Sequence, residues 1–427
     1  MRQPDKPIII FLTDSWTNVD DRIRSGQEPG GTPSVAGIWR ECVGQGLEVH
    51  VFILTKLTPG WRPQTVELGG VTFHWIAEPF EQLTNVMRNH GLVGFFKPLW
   101  LIWQLQMLWR IVRSGVQPNV VYCMRSTFAI AGWLWSRFTG ALFVQRHYGT
   151  WLYYCWFEKK SWINRLSWLG TLLSMRIPCD LLIMTNDGTN GDRIAEWAGC
   201  PMARFRFWLN GVNISREDHL EACEAKRALG LAPNDPVLVQ VGRLDTWKRQ
   251  DRLIDAMPAV LKMFPRARLI LVGEGPSRSN LEQRIQRLDI QPAVLLAGSI
   301  GHSKVKKYLR ACDLYVQGQD LSNLSNTLLE AMAAGCCIIT RSAGGTDSII
   351  HHRENGILLN PGEATDFAEA IVDLLKNDEE RARLGQNARQ FAVENFLSWD
   401  ARLRMEVQEI LGMIDSSVFS PNRHSRL

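Results

Sequence analysis

The sequence lacks the motifs that mark several common classes of protein. The nine cysteines include no C-x-x-C pair, and no cluster of His, Cys and Asp has metal-ligand spacing. The dinucleotide fingerprint G-x-G-x-x-G and the phosphate-binding P-loop are also missing. We therefore predict free thiols in a reducing compartment, no structural metal and no ATP-driven phosphoryl transfer.

Strong charge is missing as well. The net charge is +5 over 427 residues, which is too weak to indicate a nucleic-acid-binding protein. It is compatible with an anionic small ligand or with peripheral contact with an anionic membrane. The N-terminus has only the apolar run Ile8–Leu12 before Asp14, which predicts a first strand rather than a signal peptide and a cytoplasmic location.

The longest apolar region, Leu92–Val112, does not have the uninterrupted run of about 20 residues that spans a membrane. Five residues interrupt it: Lys97, Pro98, Gln104, Gln106 and Arg110. Two interpretations remain. The segment is a buried crossover helix, or it is a helix that also rests on a bilayer through its tryptophans.

The chain is long enough for two domains, and its tryptophans are uneven. Fifteen of the 17 tryptophans precede Gly211. The turn Asn210-Gly211-Val212-Asn213 marks the boundary, so we predict domains over 1–209 and 210–397 and a disordered tail over 415–427.

Short apolar runs alternate with helical patterns in both halves. The first unit reads as a strand at Ile8–Leu12, a long polar loop to Gly31, a helix over Val35–Gln45 and a strand at Glu48–Leu54. This alternation predicts an α/β protein with two doubly wound, mostly parallel sheets. Such sheets bind ligands beyond the carboxyl ends of their strands.

The candidate site residues follow predicted strands. They are Gly30, Gly31, His147, Gly242, Arg243, Gly273–Gly275 and the loop 320–330. Arg243 and Lys248 bring two cations beside a helix N-terminus, which suits a diphosphate, although a solvated charged face is the alternative. Gly30 and Gly31 would let backbone approach a ligand, or they serve a turn that needs positive φ.

The stretch Asp320–Gly345 combines a polar loop, a helix that ends at Gly335 and a buried strand. Ser322, Ser325, Asn326 and Thr327 are all residues that cap helices. Glu330 is expected in the first turn, where its carboxylate can accept two hydrogen bonds from a ribose diol. The alternative is that Thr327 and Glu330 form a T-x-x-E capping box.

The segment Trp151–Trp168 mixes Trp, Tyr and Phe with Lys159, Lys160 and Arg165. Aromatic and basic residues together suit a membrane interface or a lipid-linked acceptor. A partly exposed cluster of aromatic helix residues is the alternative.

The second half resembles the retaining glycosyltransferases of the GT-B fold, in particular glycosyltransferase family 4 (group 1). The runs that carry the resemblance are VGRLDTWKRQDRLIDAM, LILVGEGP, LLEAMAAG, SAGGTDSII and ENGILLNPGE. In the first half, PGGTPSVAGIWRECVGQGLEVHVFIL resembles the glycine loop and first helix of the family, RHYG its His-Gly segment and LNGVN its linker.

The resemblance implies two Rossmann-like domains facing across a cleft, with a C-terminal helix, 398–414, that returns to the first domain. A nucleotide-diphosphate sugar would be the donor substrate, with no cofactor and no metal. Arg243 and Lys248 would hold the diphosphate, Glu330 the ribose, and His147 would lie over the sugar. The remaining donor-binding positions are Gly30, Gly31, Gly242, Gly275, Asp320, Ser322, Leu324, Ser325 and Asn326.

Two positions depart from the family pattern. Ser322 stands where the first of two glutamates separated by seven residues is usual, and Ser348 stands where a glutamate usually follows the Gly-Gly turn. Asp320 and Asp347 are nearby carboxylates. We expect a UDP- or GDP-sugar donor and a saccharide or lipid-linked saccharide acceptor in cell-surface polysaccharide or glycolipid synthesis. The alternatives are an impaired relative that acts as a binding or scaffold subunit, and a sugar-nucleotide epimerase.

Overall fold

The computed structural model describes residues 6–28, 33–56, 64–78, 97–158, 162–213, 221–321 and 323–418. The chain forms two compact units. The first contains Met1–Asn186, Asn190–Asn210 and Trp399–Leu427, and the second contains Asp187–Thr189 and Gly211–Ser398. All nine cysteines are described, and they are free thiols.

The first unit is built on an eight-stranded sheet in the order β3-β4-β2-β1-β5-β6-β7-β8. Its strands are β1 (Ile8–Asp14), β2 (Glu48–Thr55), β3 (Thr65–Leu68), β4 (Val71–Ala77), β5 (Val120–Met124), β6 (Leu142–His147), β7 (Leu181–Thr185) and β8 (Phe205–Trp208). All neighbours pair in parallel except β3 and β4, which form an antiparallel hairpin around Gly69 and Gly70. The central strands are buried on both faces, which is why they are continuous apolar runs.

The helices of the first unit are α1 (Thr17–Arg24), α2 (Ile38–Gly44), α3 (Lys97–Ser114), α4 (Ala129–Thr139), α5 (Trp162–Met175) and α6 (Gly191–Trp197). The prediction of a long polar loop up to Gly31 is wrong, because α1 lies within that stretch. Val19 and Ile23 are the buried anchors of α1, one helical turn apart, within an otherwise polar sequence.

Helix α3 packs on the first unit, as both interpretations of the apolar region require. One face packs into the unit through Met107 and Ile111, which are fully buried. Gln104 is also buried, and its side chain bonds to the carbonyl of Thr127 and accepts from the amide of Ala131 at 2.8 Å. The segment is therefore a crossover helix packed on its sheet. No helix within the described ranges is long and apolar enough to cross a membrane.

The second unit has a six-stranded, fully parallel sheet in the order β11-β10-β9-β12-β13-β14. Its strands are β9 (Val237–Val241), β10 (Arg268–Val272), β11 (Val294–Gly298), β12 (Leu314–Gln317), β13 (Cys337–Arg341) and β14 (Ile357–Leu359). Counted within the unit, the order is 3-2-1-4-5-6, the Rossmann arrangement. The order reverses between β9 and β12, which places a ligand crevice beyond the carboxyl ends of these two strands.

In the described part of the second unit, seven α-helices carry the chain between and after these strands. They are α7 (Ala222–Arg227), α8 (Gln250–Met263), α9 (Arg278–Arg287), α10 (His302–Ala311), α11 (Asn326–Ala334), α12 (Ala364–Leu375) and α13 (Asp378–Asn395). Their apolar faces form one core with the sheet, in which Leu253, Met257 and Phe367 are almost fully buried.

The last helix, α14 (Trp399–Val418), returns to the first unit. Its Leu403, Val407 and Ile410 join the core of the eight-stranded sheet. The helix continues through Val418, so the expectation of a disordered tail from 415 is wrong for its first four residues. Residues 419–427 lie outside the described ranges.

Candidate functional site

The loop after β9 lies at the switch point of the second sheet and carries Gly242 and Arg243. The amide of Gly242 donates to the carbonyl of Val272 at 2.9 Å, which extends the sheet beyond the ends of β9 and β10. The side chain of Arg243 is 67% exposed, and its Nε lies 3.4 Å from Oδ2 of Asp245. Its guanidinium is therefore available to an anion that arrives at this edge.

Two glycines after β10 allow this loop to pack closely. A Cβ at Gly273 would overlap the carbonyl oxygen of Gly242, and a Cβ at Gly275 would overlap that of Leu244. Gly273 also has a φ of 143°, a conformation that favours glycine. Because Gly275 has no side chain, the loop that carries Arg243 can pack directly against it. Contact between Gly275 and the donor stays a prediction.

Lys248 is held beside the same loop. Its Nζ donates to Oε1 of Gln319 at 2.6 Å and lies 4.2 Å from the centroid of the Trp247 ring. A Cβ placed on Gly242 would be 4.0 Å from Cε of Lys248, which shows how near the lysine stem is to the end of β9. Burial lowers the pKa of Lys248 to about 8, although the nearby carboxylates of Asp187 and Asp245 act in the opposite direction.

Helix α11 begins at the end of the crevice, and its N-cap is one of the four cap residues that the sequence offers. Ser325 is the N-cap, and its hydroxyl accepts from the amide of Leu328 at 3.3 Å. The hydroxyl of Thr327 instead donates to the carbonyl of Val241 at 3.0 Å. The capping box between Thr327 and Glu330 is therefore wrong, because Thr327 is inside the helix and ties it to β9.

Glu330 is the fifth residue of α11, so the expectation that it lies in the first turn is also wrong. It follows Asn326 by four residues and Thr327 by three, a spacing that puts it on the same side of the helix. Burial raises the pKa of Tyr315, and the negative charge of Glu330 raises it further. The hydroxyl of Tyr315 donates to Thr327 at 3.0 Å. The half-buried carboxylate thus stands one turn from the helix N-terminus, beside the crevice.

Asp320 has partners that the sequence does not reveal. Its two carboxylate oxygens pair with three guanidinium groups, those of Arg249 at 3.1 Å, Arg252 at 2.6 Å and Arg341 at 2.7 Å. Burial raises the pKa of Asp320, but the arginine hydrogen bonds outweigh it and the net shift is downward. This carboxylate joins the loop to α8 and β13, and a contact with the donor stays a prediction.

A short segment between β7 and α6 also belongs to this edge. Asp187–Thr189 groups with the second unit, and the carbonyl of Asp187 accepts from the amide of Leu324 at 3.1 Å. Helix α6 begins only at Gly191, after this segment. The Asp187-Gly188 pair is a turn signal that could have revealed this, because Gly188 has a φ of 82°.

Two further polar residues at this edge were missed. Gln319 holds Lys248, as described above. Asn323 is buried; its side chain donates to the carbonyl of Ala343 at 2.8 Å, and its carbonyl accepts from Gln317 at 2.9 Å. Neither residue type is specific to a ligand site, so the sequence alone offers no signal for them. They fix the loop before α11.

His147 lies in the first unit, at the carboxyl end of β6. It is 3% exposed, and its Nε2 has no hydrogen-bond partner among the described residues. Burial, and then the charge of Arg146, lower its pKa to about 4, so the imidazole is neutral at physiological pH. A neutral ring with an open nitrogen is suited to contact a polar ligand atom.

Several predicted residues lie outside the described ranges. They are Gly30, Gly31, Ser322, Lys159 and Lys160. The described part of the aromatic segment packs within the first unit: Trp151 stacks on Trp168 at 6.5 Å, Trp156 lies 6.2 Å from Trp197, and Arg165 donates to the carbonyl of Trp156 at 2.8 Å. This favours an aromatic helix cluster, although Trp162 is 72% exposed.

A second cavity of the second unit lies away from the crevice. A cavity of about 640 Å³ opens at the amino edge of the second sheet. There Lys226 is already paired with Asp313 at 2.7 Å, and the edge is opposite to the one where such sheets bind ligands. The described residues also include no group of three or more His, Cys, Asp or Glu that could hold a metal ion.

Most of the second unit is similar to a known protein family. Residues 223–391 match the sequence model of the family described as "Glycosyl transferases group 1". This range contains the crevice residues of the second unit, from Gly242 to Glu330.

Two curated relatives are similar over part of their length. The chain is 29% identical to N-acetyl-alpha-D-glucosaminyl L-malate synthase of Bacillus anthracis over 41% of this chain and 45% of that protein. It is 24% identical to a GDP-mannose-dependent alpha-(1-6)-phosphatidylinositol monomannoside mannosyltransferase of Mycobacterium tuberculosis over 47% and 54%. The chain thus spans about half the length of the curated relatives it matches.

A solved structure confirms the fold. HepE of Anabaena, in complex with UDP-glucose, superposes with a TM-score of 0.66 and 20% identity, covering 95% of this chain and 99% of that chain. The predicted α/β fold of two parallel-sheet domains, GT-B, is therefore confirmed.

Proposed function

We propose that this protein is a glycosyltransferase, because residues 223–391 match the model of the family described as "Glycosyl transferases group 1". It takes a sugar from a UDP- or GDP-sugar and transfers it, with retention of anomeric configuration, to a saccharide or lipid-linked saccharide. The product belongs to cell-surface polysaccharide or glycolipid synthesis. UDP-glucose in the similar HepE structure and GDP-mannose in the name of one relative support these two nucleotides.

The observation that carries the proposal is the crevice between β9 and β12. An exposed guanidinium (Arg243), a buried ammonium (Lys248) and the N-terminus of α11 meet at the switch point of a Rossmann sheet. Positive charge and a helix N-terminus together favour a diphosphate. Glu330, one turn along α11, supplies the carboxylate that would accept hydrogen bonds from the ribose hydroxyls.

The same groups would promote departure of the nucleoside diphosphate. Negative charge grows on the leaving phosphate as the bond to the sugar breaks, and cations fixed in a partly buried site stabilise it. The sugar gains oxocarbenium character, and the acceptor hydroxyl enters on the face that the diphosphate leaves. In this proposal Arg243, Lys248 and the dipole of α11 supply the positive charge without a metal ion. His147 would contact the sugar.

A thermal-shift screen against UDP-, GDP- and ADP-sugars tests the donor. We expect the unfolding temperature to rise with one nucleotide series, and to rise further with one of its sugars than with the bare diphosphate. An unchanged unfolding temperature across all three series, together with no hydrolysis of any donor, would refute the proposed activity.

The acceptor side is proposed to lie against an anionic membrane through α3. Its residues Leu101, Leu105, Trp109 and Val112 are 49–59% exposed and lie on one helix face. Arg113 and Arg110 stack on Trp109, with distances of 4.6 and 5.3 Å to the ring centroid. An apolar stripe flanked by arginines suits the interface of a membrane with anionic lipids.

Sedimentation with phosphatidylglycerol vesicles tests the membrane contact. We expect the wild type to co-sediment at low salt and the double variant Leu105→Glu/Trp109→Glu to remain in the supernatant. Leu295→Glu is the matched control, because Leu295 is 50% exposed but lies in the second unit. Equal behaviour of the wild type and the double variant would remove the claim.

A further inference from the structure

The first unit has a cavity under the last two turns of α3. Its volume is about 430 Å³, and it opens between α3 and the strands β2, β3 and β4. Small-molecule sites typically have volumes of about 300–1,000 Å³. Its lining includes Phe52, Gln64, Thr65, His74, Arg110 and Arg113.

The full charges on the lining of this cavity are all positive. Arg110 and Arg113 both contribute to it, and no Asp or Glu is among the described residues that line it. Neither guanidinium forms an ion pair with a carboxylate in the described part of the chain. The two charges are therefore available to a ligand.

Trp109 holds the two guanidinium groups beside the cavity. Arg113 and Arg110 both stack on its indole, at 4.6 and 5.3 Å from the ring centroid, although like charges three residues apart on a helix repel each other. The C-terminus of α3 adds a partial negative charge of about one half, which the two full positive charges exceed. The cavity is thus suited to an anion with more than one negative charge.

The strand side of the cavity carries a row of hydrogen-bonded side chains. Nε2 of His74 lies 3.0 Å from Nδ1 of His50, and Nε2 of His50 lies 2.9 Å from Oε1 of Glu48. Nδ1 of His74 lies 3.4 Å from the hydroxyl of Thr65. Because the carboxylate can only accept, His50 donates to Glu48 and accepts from His74. This leaves Nδ1 of His74 without a proton.

The charge of the cavity acts on His74. Burial, and then the charges of His50 and Arg110, lower the pKa of His74 to about 4. Glu48 reaches His74 only through His50. An anion in the cavity would offset the charge of Arg110 and favour the imidazolium, which has an N–H at Nδ1.

We propose that this cavity binds the phosphate group of a phosphate monoester. Arg110 and Arg113 pair with its oxygens, and the hydroxyl of Thr65 donates to it. Two guanidinium groups match the two negative charges of a monoester better than the single charge of a diester. The phosphate belongs either to a soluble ester, such as a sugar phosphate, or to phosphatidic acid. The inference goes beyond the proposed transferase function and does not depend on it.

Phosphorus NMR of methyl phosphate, titrated with the full-length protein, tests the site. We expect the wild type to bind, and the affinity to fall about tenfold in Arg110→Gln and in Arg113→Gln, as loss of a charged hydrogen bond predicts. Arg40→Gln is the matched control and should keep the wild-type affinity. Arg40 is exposed on α2, which packs in the other core of the first unit. Dimethyl phosphate, with one charge, should bind more weakly than methyl phosphate.

The imidazole of His74 gives a second measurement. Its pKa, followed by proton NMR, should rise when methyl phosphate saturates the wild type, because a dianion stabilises the imidazolium. In the double variant Arg110→Gln/Arg113→Gln, the same addition should leave this pKa unchanged. An unchanged pKa in the saturated wild type would contradict binding in this cavity.

The outcomes are distinguishable from those at the donor site. Arg243→Ala should bind methyl phosphate as the wild type does, and Arg110→Gln should keep the wild-type affinity for UDP. Equal affinity for methyl phosphate in the wild type, Arg110→Gln and Arg113→Gln would overturn the inference, as would a wild type that does not bind it. Binding of methyl phosphate that is lost only in Arg243→Ala would also overturn it.

Sedimentation with vesicles of phosphatidylcholine and phosphatidic acid distinguishes the two sources of the phosphate. If methyl phosphate releases the wild type from these vesicles, the cavity takes the headgroup of the lipid. If methyl phosphate binds and the sedimentation does not change, the ligand is a soluble ester. Both results support the cavity as a phosphate site.

Discussion

At the scale of single residues, the account depends on two cations with different environments. Arg243 is exposed, and Lys248 is buried against Gln319. Their predicted positions beside a strand end and a helix start are found in the structure. What the sequence could not predict is the shell that holds them: Gln319, Asn323 and the Asp187 turn are ordinary residues whose role arises only from tertiary contacts.

Arg243→Ala and Lys248→Ala should each weaken UDP binding, because each removes a positive charge from the diphosphate site. We expect a loss of about tenfold or more in affinity, by the usual strength of a charged hydrogen bond. Calorimetric titration measures it. Arg266→Ala is the matched control for Arg243→Ala: Arg266 is 69% exposed and lies 3.6 Å from Asp235, but on the opposite edge of the sheet. Equal affinity in all four proteins would place the diphosphate elsewhere.

The affinity for UDP should also depend on pH through Lys248. Its pKa is lowered to about 8, so the ammonium loses its proton as the pH rises from 7 to 9. Only the protonated form attracts the diphosphate, and affinity should therefore fall over that range. Titrations at several pH values check this. The decline should be absent in Lys248→Met, and the same decline in that variant would assign the titration to another group.

At the scale of elements, the sequence predicts strands and helices better than it predicts where helices begin. Ser325 and Thr327 are both good N-caps, and their residue types do not distinguish them. The choice is made by β9, because Thr327 donates to the carbonyl of Val241. Helix α1 was missed for the opposite reason: its polar sequence is helical because Val19 and Ile23 have a core to pack against.

Helix α14 is fixed to the first unit by a buried polar cluster. Glu406 bonds to the hydroxyl of Tyr122, pairs with Arg402 at 2.9 Å and lies 3.8 Å from Arg146. Both Glu406 and Arg146 are almost fully buried. The cluster explains why a C-terminal segment of the chain packs on a sheet built from the N-terminal half.

Removing Glu406 should destabilise the first unit. Glu406→Ala leaves two buried guanidinium groups without their carboxylate, which costs about 3–5 kcal/mol in the free energy of unfolding. Glu409→Ala is the matched control on the same helix. Its partner Arg206 is 33% exposed, so we expect a loss below about 1 kcal/mol. Urea unfolding measures both, and equal effects would contradict the role assigned to the buried cluster.

At the scale of the whole molecule, each unit follows from its pattern of apolar runs. Alternating strands and helices predict parallel sheets, and the sheet orders then locate the two switch points. The position of the candidate site in the second unit thus follows from topology, while its proposed chemistry depends on side chains such as Arg243 and Lys248 near the strand end.

The most direct test is to follow UDP-α-glucose and GDP-α-mannose by proton NMR in the presence of the protein and a glycoside acceptor. The account predicts that one donor is consumed, that the transferred sugar is first seen as the α-anomer, and that Lys248→Ala slows the reaction. Neither donor consumed, or a β-linked first product, would contradict it.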